Sequence, residues 1–241
     1  MHTAHDLDQL LARKRQLQSV AASRHEFEMR LQQLRAWQAG RLARSYADLG
    51  ADPRYSQAVA FFLSDIYAPH EFTHRDRDLT RALGKLRRAL PAALLAVLGK
   101  ALELDVLTLA LDQAMTSHLT APPTESSYAQ AYRAVGRRPD RERQIELIRD
   151  IGKSLDAVVR RRWLGLALRA AHGPAHLAGF GALQDFLERG WSAFRTLPAG
   201  DELFDDIRRR ETAVMDALFQ ARPNPFAWTA AAEQGTPVQK S

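Results

Sequence analysis

The segment Ala68-Pro69-His70-Glu71-Phe72-Thr73-His74 contains HExxH, the spacing with which many zinc peptidases hold their metal. On a helix, histidines four residues apart share a face and each can give a nitrogen to the ion, while the glutamate between them activates a metal-bound water. The chemistry needs more than five letters: a helix under the motif, a third protein ligand, and a strand along which a peptide substrate can lie extended. Here Pro69 puts His70 and His74 in a first turn, Arg75-Asp76-Arg77-Asp78 follows where such helices carry apolar residues, and no strand pattern precedes them. Glu103 and His118 are nominal third ligands, but neither belongs to a recognisable downstream motif. His70, Glu71 and His74 therefore read as turn residues, with a zinc site as the alternative.

The other reactive residues form no clearer constellation. His172 and His176 are also four apart, but Gly173-Pro174 between them predicts a helix–helix corner rather than an aligned pair. A ferritin-like di-iron centre needs two Glu-x-x-His units, and only Glu71 with His74 supplies one. Gly179-Phe180-Gly181 lacks the preceding strand of a dinucleotide loop, and Ser64 and Ser154 sit in helical patterns with no base visible beside them. A haem would need one axial histidine, such as His118 or His172, and a flat pocket between helices. With no cysteine in the chain, disulfides, thiolate metal sites and a cysteine nucleophile are excluded. No metal or cofactor is expected.

The formal charge of +6 and the pI near 10.0 raise nucleic acid as a partner. Yet almost all the basic residues are arginine in a chain rich in Ala and Leu, a bias that a GC-rich genome produces unaided. The basic residues also alternate with acids, as in Asp140-Arg141-Glu142-Arg143, which describes solvated helix faces rather than a phosphate-binding stripe. Nucleic acid is therefore not an expected partner. The N-terminus has no apolar run behind a basic start, and Lys100, Glu103, Asp105 and Asp112 interrupt the longest apolar region. No membrane association is expected, and the cytoplasm is the predicted location.

Helical spacing dominates, so the fold class is all-α, a multi-helix bundle with a long N-terminal amphipathic helix. Residues 1–50 form that helix, with Leu10, Leu17, Val20, Phe27, Leu31 and Leu34 in threes, fours and sevens. Unbroken, it would be about 60 Å long and would project; otherwise it breaks near Ser23. A projecting stripe needs cover, which makes self-association through this helix the expected interaction. Residues 51–222 form a helical core domain. Asp52-Pro53 starts a helix that carries Tyr55, Val59, Phe62, Leu63 and Ile66 and stops around Tyr67-Ala68-Pro69. Another is predicted over about 75–90, and the apolar run from Pro91 to Leu119 reads as two consecutive buried helices. Thr124 caps a short helix ending at Gly136; a long one runs from Pro139 to about His172, then one from about Gly179 to Leu197, and a last from Asp201 to Ala221. Residues 223–241 read as a proline-containing, partly disordered tail.

Widened, the histidine segment becomes Phe61-Phe62-Leu63-Ser64-Asp65-Ile66-Tyr67-Ala68-Pro69, followed by Phe72 and Arg75-Asp76-Arg77-Asp78. Together with Tyr128-Ala129-Gln130-Ala131-Tyr132-Arg133, the run from Arg141 to Ile145, the run from Leu183 to Gly190, and Arg210-Glu211, it resembles a family of uncharacterised all-helical bacterial proteins with an FFLxDxYxPxxFxxRDxD block. The resemblance covers about Arg54 to Phe226 and implies no known activity. It makes Asp65, Tyr67, Pro69, Phe72, Arg75, Asp76 and Asp78 the motif positions and His70, Glu71 and His74 incidental. Ala68 stands where glycine is common in the family, which bears on the turn's geometry.

Asp65, Tyr67, Arg75, Asp76 and Asp78 are the candidate site. They form either a structural corner, with Arg75 paired to Asp65 and Asp76 capping the next helix, or a pocket in which Tyr67 and Arg75 meet a small anionic ligand. The functional expectation is a non-catalytic helical protein-interaction or small-ligand-binding module. A cofactor- or metal-binding helical enzyme, with a haem-type pocket or the HExxH zinc site, is the second reading.

Overall fold

The computed structural model describes residues 4–22, 25–66, 92–198 and 202–227; among them are ten α-helices, one π-helical turn and no strand. In chain order the helices are α1 (Ala4–Ala22), α2 (His25–Ser45), α3 (Ala47–Ala51), α4 (Ser56–Phe61), α5 (Ala92–Thr116), α6 (Glu125–Val135), α7 (Arg138–Val159), α8 (Arg162–Leu177), α9 (Gly181–Phe194) and α10 (Leu203–Phe219). The π turn, Phe62–Ile66, continues α4. None of the described helices is long and apolar enough to cross a membrane.

Local chemistry sets many of the helix ends. The Thr124 hydroxyl accepts from the Ser127 amide at 3.2 Å and the Ser127 hydroxyl accepts from the Thr124 amide at 2.9 Å, a reciprocal cap on α6. Gly136 ends that helix at φ +64, a conformation glycine adopts without penalty, and Pro139 sits in the first turn of α7. The Asp52 carboxylate takes the Arg54 amide at 2.9 Å, forming the turn from which α4 starts.

The centre of the bundle is α5, apolar on nearly every side and therefore packed on most of them. Over Pro91 to Leu119 two helices were expected; Ala92 to Thr116 form one helix of 25 residues, because Gly99 costs only about 1 kcal/mol within a helix and burial outweighs it. Leu7, Leu11 and Leu17 of α1 and Leu31 of α2 are buried against Leu102, Val106 and Leu109 of α5. Lys14 pairs with Asp105 at 2.6 Å, and the Gln113 amide donates to the Leu17 carbonyl at 2.8 Å. The apolar stripe of the N-terminal segment is thus covered within the chain, and does not by itself require a second copy.

On the other side of α5 lies α7, which also packs along α10. Gly152 makes that second approach possible: a Cβ there would lie 2.1 Å from the Phe204 ring. The long helix expected from Pro139 to His172 is broken at Arg160-Arg161, where Arg161 is extended and the Arg160 guanidinium donates to the Leu197 and Pro198 carbonyls at 3.0 and 2.8 Å. The break turns α8 onto α9, with Gly165 so close to Trp191 that a Cβ would meet the indole at 2.5 Å.

A further difference concerns Gly173-Pro174. The corner expected there is absent, and α8 continues to Leu177 with Pro174 inside it. Proline in a helix interior costs roughly 3 kcal/mol through the lost hydrogen bond and the crowded carbonyl one turn back. Side-chain ties from α8 to α9 hold the helix in place; the actual corner follows at Gly179, φ +76. At the C-terminus, Phe226 packs edge-on against Trp37 and Tyr128, so the start of the segment read as a tail belongs to the core. Residues 228–241 lie outside the described residues.

Candidate functional site

Three helices carry a charged residue on their apolar stripe. In α2 the stripe Leu31, Leu34, Gln38, Leu42 includes Arg41; in α7 Ile145 and Ile148 follow Arg141; in α10 Ile207 and Val214 flank Glu211. Spacings of three and four turn all three charges inward. They meet at a cavity of about 120 Å³, lined also by Tyr128 and Tyr132 of α6, Thr108 and Asp112 of α5, and Phe62 and Leu63 of the π turn.

On one wall the charges are paired, although the Arg41 Nε is buried without a partner. Arg41, 8% exposed, grips Glu211 with both terminal nitrogens at 2.6 and 2.9 Å, and the Tyr46 hydroxyl donates to the same carboxylate at 2.7 Å. Burial pushes the Glu211 carboxyl up, but the Arg41 guanidinium and the Tyr46 hydroxyl outweigh it and hold the group below its ordinary value. Burial likewise opposes charge on Arg41, and Glu211 reverses the balance and raises it. The neighbouring Arg210 forks onto Asp48 at 2.8 and 2.7 Å.

Arg141, also in the lining, is only 4% exposed, and no carboxylate among the described residues pairs with it. Its guanidinium lies 4.4 Å from the Tyr132 ring centre, donates to the Met115 sulfur at 3.0 Å and makes a long contact of 3.4 Å to the Gln144 carbonyl oxygen. Its Nε has no partner. The Gln144 amide nitrogen is fixed by the Thr108 hydroxyl at 2.8 Å, which leaves its oxygen facing Arg141. Burial pushes the Tyr132 phenol up, so it stays a neutral hydroxyl. Asp112, 2% exposed, is occupied by Gln38 at 3.0 Å and Arg35 at 3.4 Å. The lining thus offers the guanidiniums of Arg41 and Arg141, the carboxylates of Glu211 and Asp112, both already engaged, the Thr108 hydroxyl, amides, phenols and apolar surface; no histidine, serine, cysteine or lysine is among the described lining residues. A guanidinium beside amides, phenols and apolar surface can bind and orient an anion.

Of the residues singled out from sequence, Asp65 lies on the π turn, and its side chain falls outside the described residues, as do Tyr67, Arg75, Asp76 and Asp78. So do His70, Glu71 and His74 of HExxH. His118 is exposed beyond the end of α5, and neither it nor His172 lines the cavity. Several of the segments quoted for the family resemblance converge: Phe62 and Leu63, Tyr128 and Tyr132, Arg141 with Gln144 and Ile145, and Glu211 line this one cavity, whereas the run from Leu183 to Gly190 does not. Sequence reading missed Arg41, Arg141 and Glu211 as site residues. The usable signal was a charge on an apolar stripe, repeated in three helices.

No curated protein and no solved structure matches the chain. A family model described as a domain of unknown function (DUF8198) matches residues 16–225, a span that contains every residue lining the cavity. The chain belongs to that family, as the resemblance to a group without a known activity led one to expect.

Proposed function

We propose that the chain is a cytoplasmic, non-catalytic module that binds a small anionic ligand in the central cavity. One observation carries the reading: Arg141 is buried at the cavity wall with no carboxylate among the described residues to neutralise it. A guanidinium carries a permanent charge, and a buried charge is costly unless paired and hydrogen-bonded. A carboxylate or phosphate in the cavity would complete the fork geometry that Glu211 already provides for Arg41. The volume is comparable to the ~150 Å³ cavity that accepts a benzene ring, so the ligand is small. Tyr128, Tyr132, Ile145 and Ile148 offer it an apolar body contact.

The test is a native mass spectrum of the untagged chain, as purified and after incubation with benzoate. The expected result is one small anion per chain, absent from the Arg141→Met protein. Benzoate retained equally by both proteins would place the ligand elsewhere and defeat the reading.

A further inference from the structure

The histidines of α8 gain meaning from the helix that runs through them. Because α8 does not break at Gly173-Pro174, His172 and His176 occupy positions i and i+4 of one helical face, with ring centres 4.6 Å apart. Each ring faces a carboxylate of α9: His172 Nδ1 lies 3.0 Å from Glu188 Oε1, and His176 Nε2 lies 2.9 Å from Asp185 Oδ1. We propose that His172, His176 and Asp185 bind one divalent transition-metal ion of the zinc type, clamping the end of α8 to the start of α9.

The geometry fits such an ion. One ligand atom from each of the three residues lies within 4.8 Å of the others. Bonds of 2.0–2.2 Å in a tetrahedron separate ligand atoms by ~3.4 Å, so rotations of exposed side chains close the difference. Without metal, a hydrogen bond of 2.9 Å between His176 Nε2 and Asp185 Oδ1 keeps the two ligand atoms together. Glu188 plays the supporting part. The Gln184 amide fixes it at 2.8 Å while also donating to the Leu168 carbonyl at 2.7 Å, and Glu188 in turn holds His172 by Nδ1, which frees Nε2 for the ion. Gly181 completes the seat: a Cβ there would come within 2.7 Å of His176 Nδ1. The close approach of Gly165 to Trp191 keeps the two helices at fixed spacing.

Two imidazoles and one carboxylate select zinc, cobalt, nickel or copper over magnesium and calcium, which favour oxygen ligands. The side chains of His172 and His176 are 51% and 42% exposed, so water fills the remaining coordination and the ion exchanges readily. None of these residues lines the central cavity, and the site stands independently of the anion reading.

Zinc chloride titrated calorimetrically into the untagged full-length chain should bind at one ion per chain and raise the melting temperature. His172→Gln with His176→Gln, both at exposed positions, should weaken binding at least 100-fold with the circular dichroism spectrum unchanged. Gly181→Ala should weaken it 10-fold or more by displacing the His176 ring. An absence of zinc uptake, or uptake undiminished in the double variant, would overturn the proposal. Uptake lost in His70→Gln with His74→Gln instead would overturn it too, and move the ion to HExxH.

Discussion

Arg41 and Arg141 line the same cavity from different helices, both nearly inaccessible to solvent, and they are treated differently. Arg41 has a carboxylate in a two-pronged grip and a tyrosine hydroxyl completing the network. Arg141 has a ring face, a sulfur and a distant amide. The first arrangement ties α2 to α10. The second leaves a binding capacity, since a buried guanidinium at the cavity wall is poised for an anion that no described residue supplies. The contrast separates charge used for architecture from charge available for a ligand.

Breaking the satisfied side should have the largest effect. Glu211→Gln leaves Arg41 buried without its counter-charge and should cost ~3–5 kcal/mol, measured by urea unfolding. The same carboxylate predicts an acid limb. Its folded value lies below its ordinary 4.5, so its contribution is fully present above that pH and disappears as pH falls through the folded value; Glu211→Gln should flatten this part of the stability profile. Packing can be perturbed without touching either arginine. Gly152→Ala drives a methyl into Phe204 and should cost about 1–3 kcal/mol.

Arg141→Met sharpens the comparison from the other side. No ion pair among the described residues is broken, and a flexible apolar chain of similar length replaces a costly charge, so stability should stay within ~1 kcal/mol of wild type, on the stabilising side. A drop as large as that of Glu211→Gln would show that Arg141 is structural after all. The smallest effect belongs to the surface. Arg143 reaches Glu103 at 2.7 and 2.9 Å but is half exposed, and Arg143→Gln should cost less than about 1 kcal/mol, decreasing with added salt.

The parts of this fold legible in sequence are those decided locally. The Thr124 cap, the Gly136 stop and the Pro139 start depend on a few adjacent residues and are observed where expected. The features that differ are decided by distant contacts. Pro174 breaks helices in isolation, but here Asp185 and Glu188 hold α8 from another helix; Arg160-Arg161 is unremarkable locally, and its break follows from the Leu197 and Pro198 carbonyls. The site is half legible in the same sense. A charge on an apolar stripe can be seen at Arg41, Arg141 and Glu211, but the partner of Arg41 lies 170 residues away, and nothing near Arg141 in sequence reveals that no described carboxylate pairs with it.

The most direct test of Arg141 as a ligand anchor is thermal unfolding of the wild-type chain and Arg141→Met, each with and without benzoate. At about 100 times its Kd, benzoate should raise the wild-type melting temperature by roughly 5–10 °C and leave the variant unmoved. An equal rise in both proteins, or none in either, would contradict the assignment of the cavity as an anion site.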